Sequence, residues 1–179
     1  MNEIINGYHP IEQPNQIPTR EKEDAMGAYL MMFGALAAGL PLPIINLIAA
    51  IVYYFVNAKK SRFIKFHSLQ SLLSQMPTTL MNAGLVFWTV RNIFSHAEMV
   101  DEEVIVEGFA NMGDLYWGYL WTVVVANLLY FIFSIVGAMK ARKGQFYYFL
   151  FFGKLSYHFA YKARPSDYEN NPILNKPPV

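Results

Sequence analysis

The chain contains no cysteine, which excludes disulfides, iron–sulfur ligation and a thiol nucleophile. It is also short of charge. Asp, Glu, Lys and Arg make up 15% of it, against roughly 25% in an ordinary soluble domain. The net charge is only +1, so no overall basic field exists to attract nucleic acid. No Gly-rich loop precedes a lysine as a phosphate cradle would require. No carboxylate interrupts the long apolar stretches, so no acid–base pair is expected at their depth. The histidines are scattered along the chain, without the clustered ligands that a metal site needs. The expectation is a protein that is not an enzyme and carries no cofactor. An apolar core near the start, the mark of a secretory signal, is missing too: residues 1–24 are polar and carry Pro10, Pro14 and Pro18.

What remains is apolar. Hydrophobic residues make up 54% and aromatics 16%. The uncharged run from Ala25 to Val56 would reach roughly 47 Å as one straight helix, whereas a hydrocarbon core is about 30 Å thick. Pro41 and Pro43 sit at its middle. Each removes a backbone donor and clashes with the preceding turn, so the run should break there. Two halves result, Met26–Gly39 and Pro43–Asn57, read as a tight helical hairpin or as one steeply tilted, kinked span. A second block runs from Ser68 to Phe94 and a third from Leu115 to Met139. The stretch Phe146–Tyr161 is shorter and more polar, and suits an interfacial or partly inserted helix.

The charges are confined to connectors. Lys59, Lys60, Arg62 and Lys65 follow the first block, and Lys140, Arg142 and Lys143 follow the third, with no acid among them. The connector from Ser95 to Asp114 holds Glu98, Asp101, Glu102, Glu103 and Glu107 and no cation. The positive-inside rule puts both cationic connectors in the cytoplasm and the acidic one outside, which makes the second and third blocks crossings. The cations can also meet anionic lipid headgroups, at about 1 kcal/mol each near the surface. The expected architecture is all-α: an integral membrane bundle of about four embedded helices, the first two a proline-broken hairpin. A flexible polar tail (1–24), a helical membrane domain (25–161) and a polar C-terminal tail (162–179) complete the division. The place is the bacterial inner membrane, multi-pass, with the C-terminus and, for a hairpin, the N-terminus in the cytoplasm.

Within the second block, His67, Ser71, Ser74, Thr78 and Asn82 recur every three or four residues and stay within roughly a 90° sector of a helix, with Gln70 and Gln75 flanking it. Polar groups cannot face hydrocarbon cheaply, so this stripe should point inward. Asn46 and Asn127 are expected to join the same network. The stripe has two readings: interhelical glue, or a polar path for a solute. His67 likewise has two: a proton-responsive or partner-binding group, or a structural histidine bonded to nearby backbone or to Gln70. The small residues Gly34, Ala35, Ala38 and Gly39 suit close helix contact and so a homo-oligomer.

Two stretches carry a resemblance: Ser61-Arg62-Phe63-Ile64-Lys65-Phe66-His67-Ser68-Leu69-Gln70-Ser71-Leu72 and Lys140-Ala141-Arg142-Lys143-Gly144-Gln145-Phe146-Tyr147-Tyr148-Phe149. Together they resemble a family of small bacterial membrane proteins of unassigned function, itself similar to the membrane-embedded subunit of the chloroplast inner-envelope protein import translocon. The chain departs from that pattern at Phe149, where a proline often stands, and in its long acidic connector. The resemblance implies four helices with both termini on one side. It also implies a non-catalytic subunit of a membrane protein complex, with lipids and other integral membrane proteins, a translocase among them, as partners. A small-solute transporter or channel using the polar stripe is the alternative.

Overall fold

A computed structural model of the protein describes residues 4, 7–37, 43–95 and 112–169. Every regular element among them is helical: α1 Thr19–Ala37, α2 Pro43–Asn57, α3 Arg62–Ser95, α4 Asp114–Arg142, α5 Leu150–Tyr161 and the short α6 Pro165–Glu169. Most of the acidic connector (96–111), and residues 38–42 with Ala38, Gly39 and Pro41, lie outside the described residues.

The first apolar run is two helices, as its prolines require. They lie antiparallel: the Tyr53 hydroxyl near the end of α2 donates to the Asp24 carbonyl near the start of α1 at 2.6 Å, and Lys60 reaches the Asp24 carboxylate at 2.9 Å. Gly27 makes this approach possible, since a Cβ there would stand 2.6 Å from the Tyr53 oxygen. α1 then runs in the same direction as α3, with Tyr29 against His67 and Ser71 bonded to the Ala28 carbonyl at 2.9 Å. α4 returns antiparallel to both. Tyr29 packs on Gly137 and Phe33 on Phe131, while Asn82 pairs with Asn127 and Thr89 with Tyr116.

The helix ends follow local chemistry. Ser61 caps α3, its hydroxyl accepting the Ile64 amide at 3.2 Å. α4 ends in a Schellman turn: the Gly144 amide donates to the Ala141 carbonyl and the Gln145 amide to the Lys140 carbonyl, both at 2.9 Å. Gly144 has φ +70°, a conformation that glycine adopts without penalty. From there the chain descends along α3. The Phe149 amide reaches Gln70, and α5 climbs back until the Phe159 carbonyl meets Lys65.

Three features depart from the sequence expectations. The stretch before the first apolar block is not a loose tail. α1 begins at Thr19, because hydropathy marks where an apolar environment starts and not where a helix does, and Glu21 in the first turn suits the helix dipole. Residues 7–9 then pair with 161–163, through bonds of 2.9 Å from the His9 amide to the Tyr161 carbonyl and from the Ala163 amide to the Gly7 carbonyl. Beyond residue 162, too, the chain forms a helical turn, α6. Finally, one described helix, α4, is long and apolar enough by itself to cross a membrane; α2 is apolar but short. α3 is long enough, but its polar stripe lowers its hydropathy, so a four-span bundle does not follow from length and composition.

Polar side chains share the interior with Phe63, Ile64, Phe66 and Tyr161, while large apolar side chains remain outside. The fully buried side chains include His67, Gln70 and Ser156. Leu115, Leu80, Phe55, Phe87 and Phe94 are each more than two-thirds exposed. Soluble monomers seldom expose contiguous apolar surface on this scale.

Candidate functional site

α3 turns its polar sector inward. His67, Gln70, Ser71, Ser74, Gln75 and Thr78 are all buried, whereas Met76, Leu80 and Phe87 on the opposite face are exposed. Pro77 sits inside the helix, and its missing N–H frees the Leu73 carbonyl. The adjacent hydroxyls bond elsewhere, Ser74 to the Ser71 carbonyl and Thr78 to the Gln75 carbonyl, each at 2.9 Å.

The centre of the seam is a residue that the sequence reading missed. The Tyr29 hydroxyl, brought in by α1, lies 3.0 Å from His67 Nδ1 and 2.8 Å from Gln70 Nε2. The Gln70 orientation follows by elimination. The Phe149 amide can only donate, so the Gln70 atom 3.2 Å from it is the accepting Oε1. Gln70 Nε2 therefore donates to the Tyr29 oxygen. The Tyr29 hydroxyl also bonds His67 Nδ1, with donor and acceptor set by the His67 tautomer. Among the described residues His67 Nε2 has no hydrogen-bond partner. The imidazole is boxed by Phe63, Phe66 and Phe146, with ring centroids 4.5, 4.9 and 5.9 Å away. A charge here would have neither counter-ion nor water. Glycines give the cluster its room: a Cβ at Gly137 would stand 2.7 Å from the Tyr29 ring, and one at Gly153 would stand 2.6 Å from the Tyr148 Cα. Nothing in the apolar pattern distinguishes Tyr29 as the hub, though it is a hydroxyl within an otherwise apolar run.

Deeper along α3, Asn82 and Asn127 exchange reciprocal amide bonds of 3.0 and 3.1 Å. Asn127 thus joins the network as expected. Asn46 does not; its Oδ1 is buried without a partner on α2, away from the α3–α4 seam. The space enclosed by Tyr29, Gln70, Ser74, Tyr130, Ser134 and Phe149 is too small to hold a water molecule.

The second assembly lies at the end of the bundle where α3 starts and α4 finishes. Phe63 and Ile64 pack there on Ala138 and Ala141, so both cationic connectors share one end. Lys59, Lys60, Arg62 and Lys65 line a pocket of about 370 Å³, with Lys162 and Arg164 opposite. Lys140, Arg142 and Lys143 lie outside it, on the exposed end of α4; Lys140 bonds Gln145 at 3.1 Å. His9 Nε2 is 3.0 Å from Asp167 Oδ2 and 3.2 Å from Arg62 Nη2. One nitrogen cannot both donate and accept, and the carboxylate, the charged acceptor, takes its proton. The Arg164 backbone N–H, and then the His9 bond, hold the Asp167 carboxyl below the usual carboxylate range. Among the described residues no group of His, Asp and Glu converges as a metal site would.

Both assemblies can now be set against known proteins. Residues 21–155 match the MamF/MmsF family, the magnetosome magnetite crystal formation proteins. The chain belongs to this family. The match takes in α1–α4 and the seam. It leaves out residues 7–9 and the segment from Phe159 to Asp167, which complete the cationic pocket. No curated protein and no solved structure matches the chain. Membership in the magnetosome family overturns the resemblance to the import translocon, and with it the expected translocase partner. The two motifs that carried the resemblance are instead the two halves of one packing unit: Gln70 from the first holds Phe149 from the second, and Phe66 packs on Phe146 at 4.9 Å. Such a unit reports how a bundle closes and not what the bundle does. The magnetosome family and the apolar α4 make this a bacterial membrane protein.

Proposed function

We propose that the protein is a non-catalytic, multi-pass component of the membrane in which magnetite crystals form, and that it acts there by contact with lipid and with other integral membrane proteins. The observation that carries this reading is the outer surface: large apolar side chains stand exposed around a buried polar face of α3, in a chain of the magnetosome family. The antiparallel α1–α2 pair and the shared cationic end support a bundle of four embedded helices, with that end in the cytoplasm. The acidic connector, with five carboxylates and no cation, would then face the other side. That is the side on which iron cations would be drawn to it.

The test is deletion of the gene in its native host. Crystals of altered size or number are expected by electron microscopy, together with recovery of the tagged protein in the magnetosome membrane fraction. Unchanged crystals, or a tagged protein found in the soluble fraction, would overturn the proposal.

A further inference from the structure

The cationic pocket adjoins a second cavity, an apolar groove of about 570 Å³ lined by Tyr54, Leu69, Leu73 and Pro165. Lys65, Phe159, Lys162 and Arg164 line both. Lys65, Leu69 and Leu73 are spaced by four residues, so they stack down one face of α3. From Lys65 to Leu73 the groove descends about 12 Å along the helix axis.

The pocket's own charges do not balance. Lys59, Lys60, Arg62, Lys65, Lys162 and Arg164 line it against a single carboxylate, Asp167. Asp167 Oδ2 is already taken by His9 and by the Arg164 backbone N–H, at 3.0 and 2.8 Å. From outside the pocket, among the described residues, Asp24 pairs with Lys60 and Glu12 acts on Arg62 at longer range. Like charges gathered in one concavity repel, and the arrangement is relieved by an anion bound between them.

We propose that pocket and groove together bind one anionic phospholipid, its phosphate head among the cations and an acyl chain lying along Leu69 and Leu73. Two observations select a lipid over a free phosphate. The cationic pocket shares Lys65, Phe159, Lys162 and Arg164 with an apolar slot beside it, and that slot runs from the cationic end toward the middle of the bundle, the direction in which an acyl chain lies. Both volumes fall within the range of small-molecule sites, roughly 300–1,000 Å³. Half of the pocket comes from residues outside the family match, so the site is a property of this chain's two ends folded together. The inference rests on the membrane reading above.

The full chain, purified in mild detergent and stripped of lipid, would be titrated with phosphatidylglycerol, phosphatidylcholine and inorganic phosphate, with bound lipid counted by native mass spectrometry. One phosphatidylglycerol per chain is expected, with phosphatidylcholine binding at least about 10-fold more weakly and phosphate failing to displace the lipid. Lys59→Gln with Lys162→Gln, both exposed, should weaken phosphatidylglycerol by about 30-fold. Arg142→Gln with Lys143→Gln removes the same charge outside the pocket and should change binding by no more than about 2-fold. Leu73→Trp, which fills the groove without altering charge, should also abolish the bound lipid. Equal binding of the two lipids, full displacement by phosphate, or unchanged binding in either pocket variant would overturn the site. A chain that stays monodisperse without detergent would overturn the membrane reading itself. Loss of the lipid preference in a detergent-dependent chain removes only the site.

Discussion

At the scale of single residues, the Tyr29 hydroxyl is where three segments meet. It accepts from Gln70 and bonds His67 Nδ1, and Gln70 in turn holds the Phe149 amide. Removing that oxygen strands two buried polar groups, and a stranded group costs about 1–3 kcal/mol. Tyr29→Phe should therefore destabilise the bundle by about 2 kcal/mol or more, read as a lowered Tm in detergent. An unchanged Tm would mean that water or another side chain replaces the hydroxyl. His67 and Gln70 were legible in the sequence as inward-facing, because their spacing matches one face of a helix. Their partner was not. Tyr29 lies on a different helix, and periodicity along one helix carries no information about the helix opposite. The same limit explains Asn46: it is polar within an apolar helix, as Asn127 is, yet α2 does not bring it to the seam.

At the scale of elements, α3 and α4 have opposite designs. α3 is buried along its polar sector and exposed along its apolar one. α4 is apolar nearly all round and qualifies as a span by itself, with only 28% of its most apolar window buried. Leu128 stands at the midpoint of α4 and is 57% exposed. A lysine at the centre of a span costs about 2.5–3.5 kcal/mol on insertion. Leu128→Lys should thus shift the chain out of the membrane fraction, while Leu128→Ala should leave insertion intact; equal insertion of both would show that this face does not meet lipid. α5 shows what hydropathy could not reveal. Its apolar stretch was legible, but the chain's descent beside α3 to the start of α5 depends on Gln70 satisfying the Phe149 amide. Non-helical backbone at such depth persists only where protein bonds it. A proline at position 149 would have no N–H to offer.

At the scale of the whole molecule, the two ends of the chain close on each other. Residues 7–9 pair with 161–163, and the His9–Asp167 bond clasps the pairing beside the cationic pocket. Asp167 has its carboxyl lowered by the Arg164 amide and His9. A group lowered in the folded state stabilises above its unfolded pKa, near 4, and loses that contribution as pH falls through the lowered value. The clasp should therefore hold at neutral pH and release in strong acid. Asp167→Asn should release it at neutral pH as well, seen as faster hydrogen exchange at the His9 and Ala163 amides relative to the wild type under the same conditions. Equal protection in the two proteins at neutral pH would show that the backbone pairing holds without the carboxylate.

The sequence by itself determined the helical class, the break between α1 and α2, the inward polar face of α3 and the segregation of charge into connectors. Each follows from local rules: helical periodicity, the missing proline donor, and the cost of polar groups in hydrocarbon. Tertiary structure alone decided that Tyr29 would be the hub, that Asn46 would be left out, and that residues near both ends would complete one cationic pocket. These depend on which faces meet across 38 to 158 residues of chain, and contacts at that separation leave no period in the sequence to read.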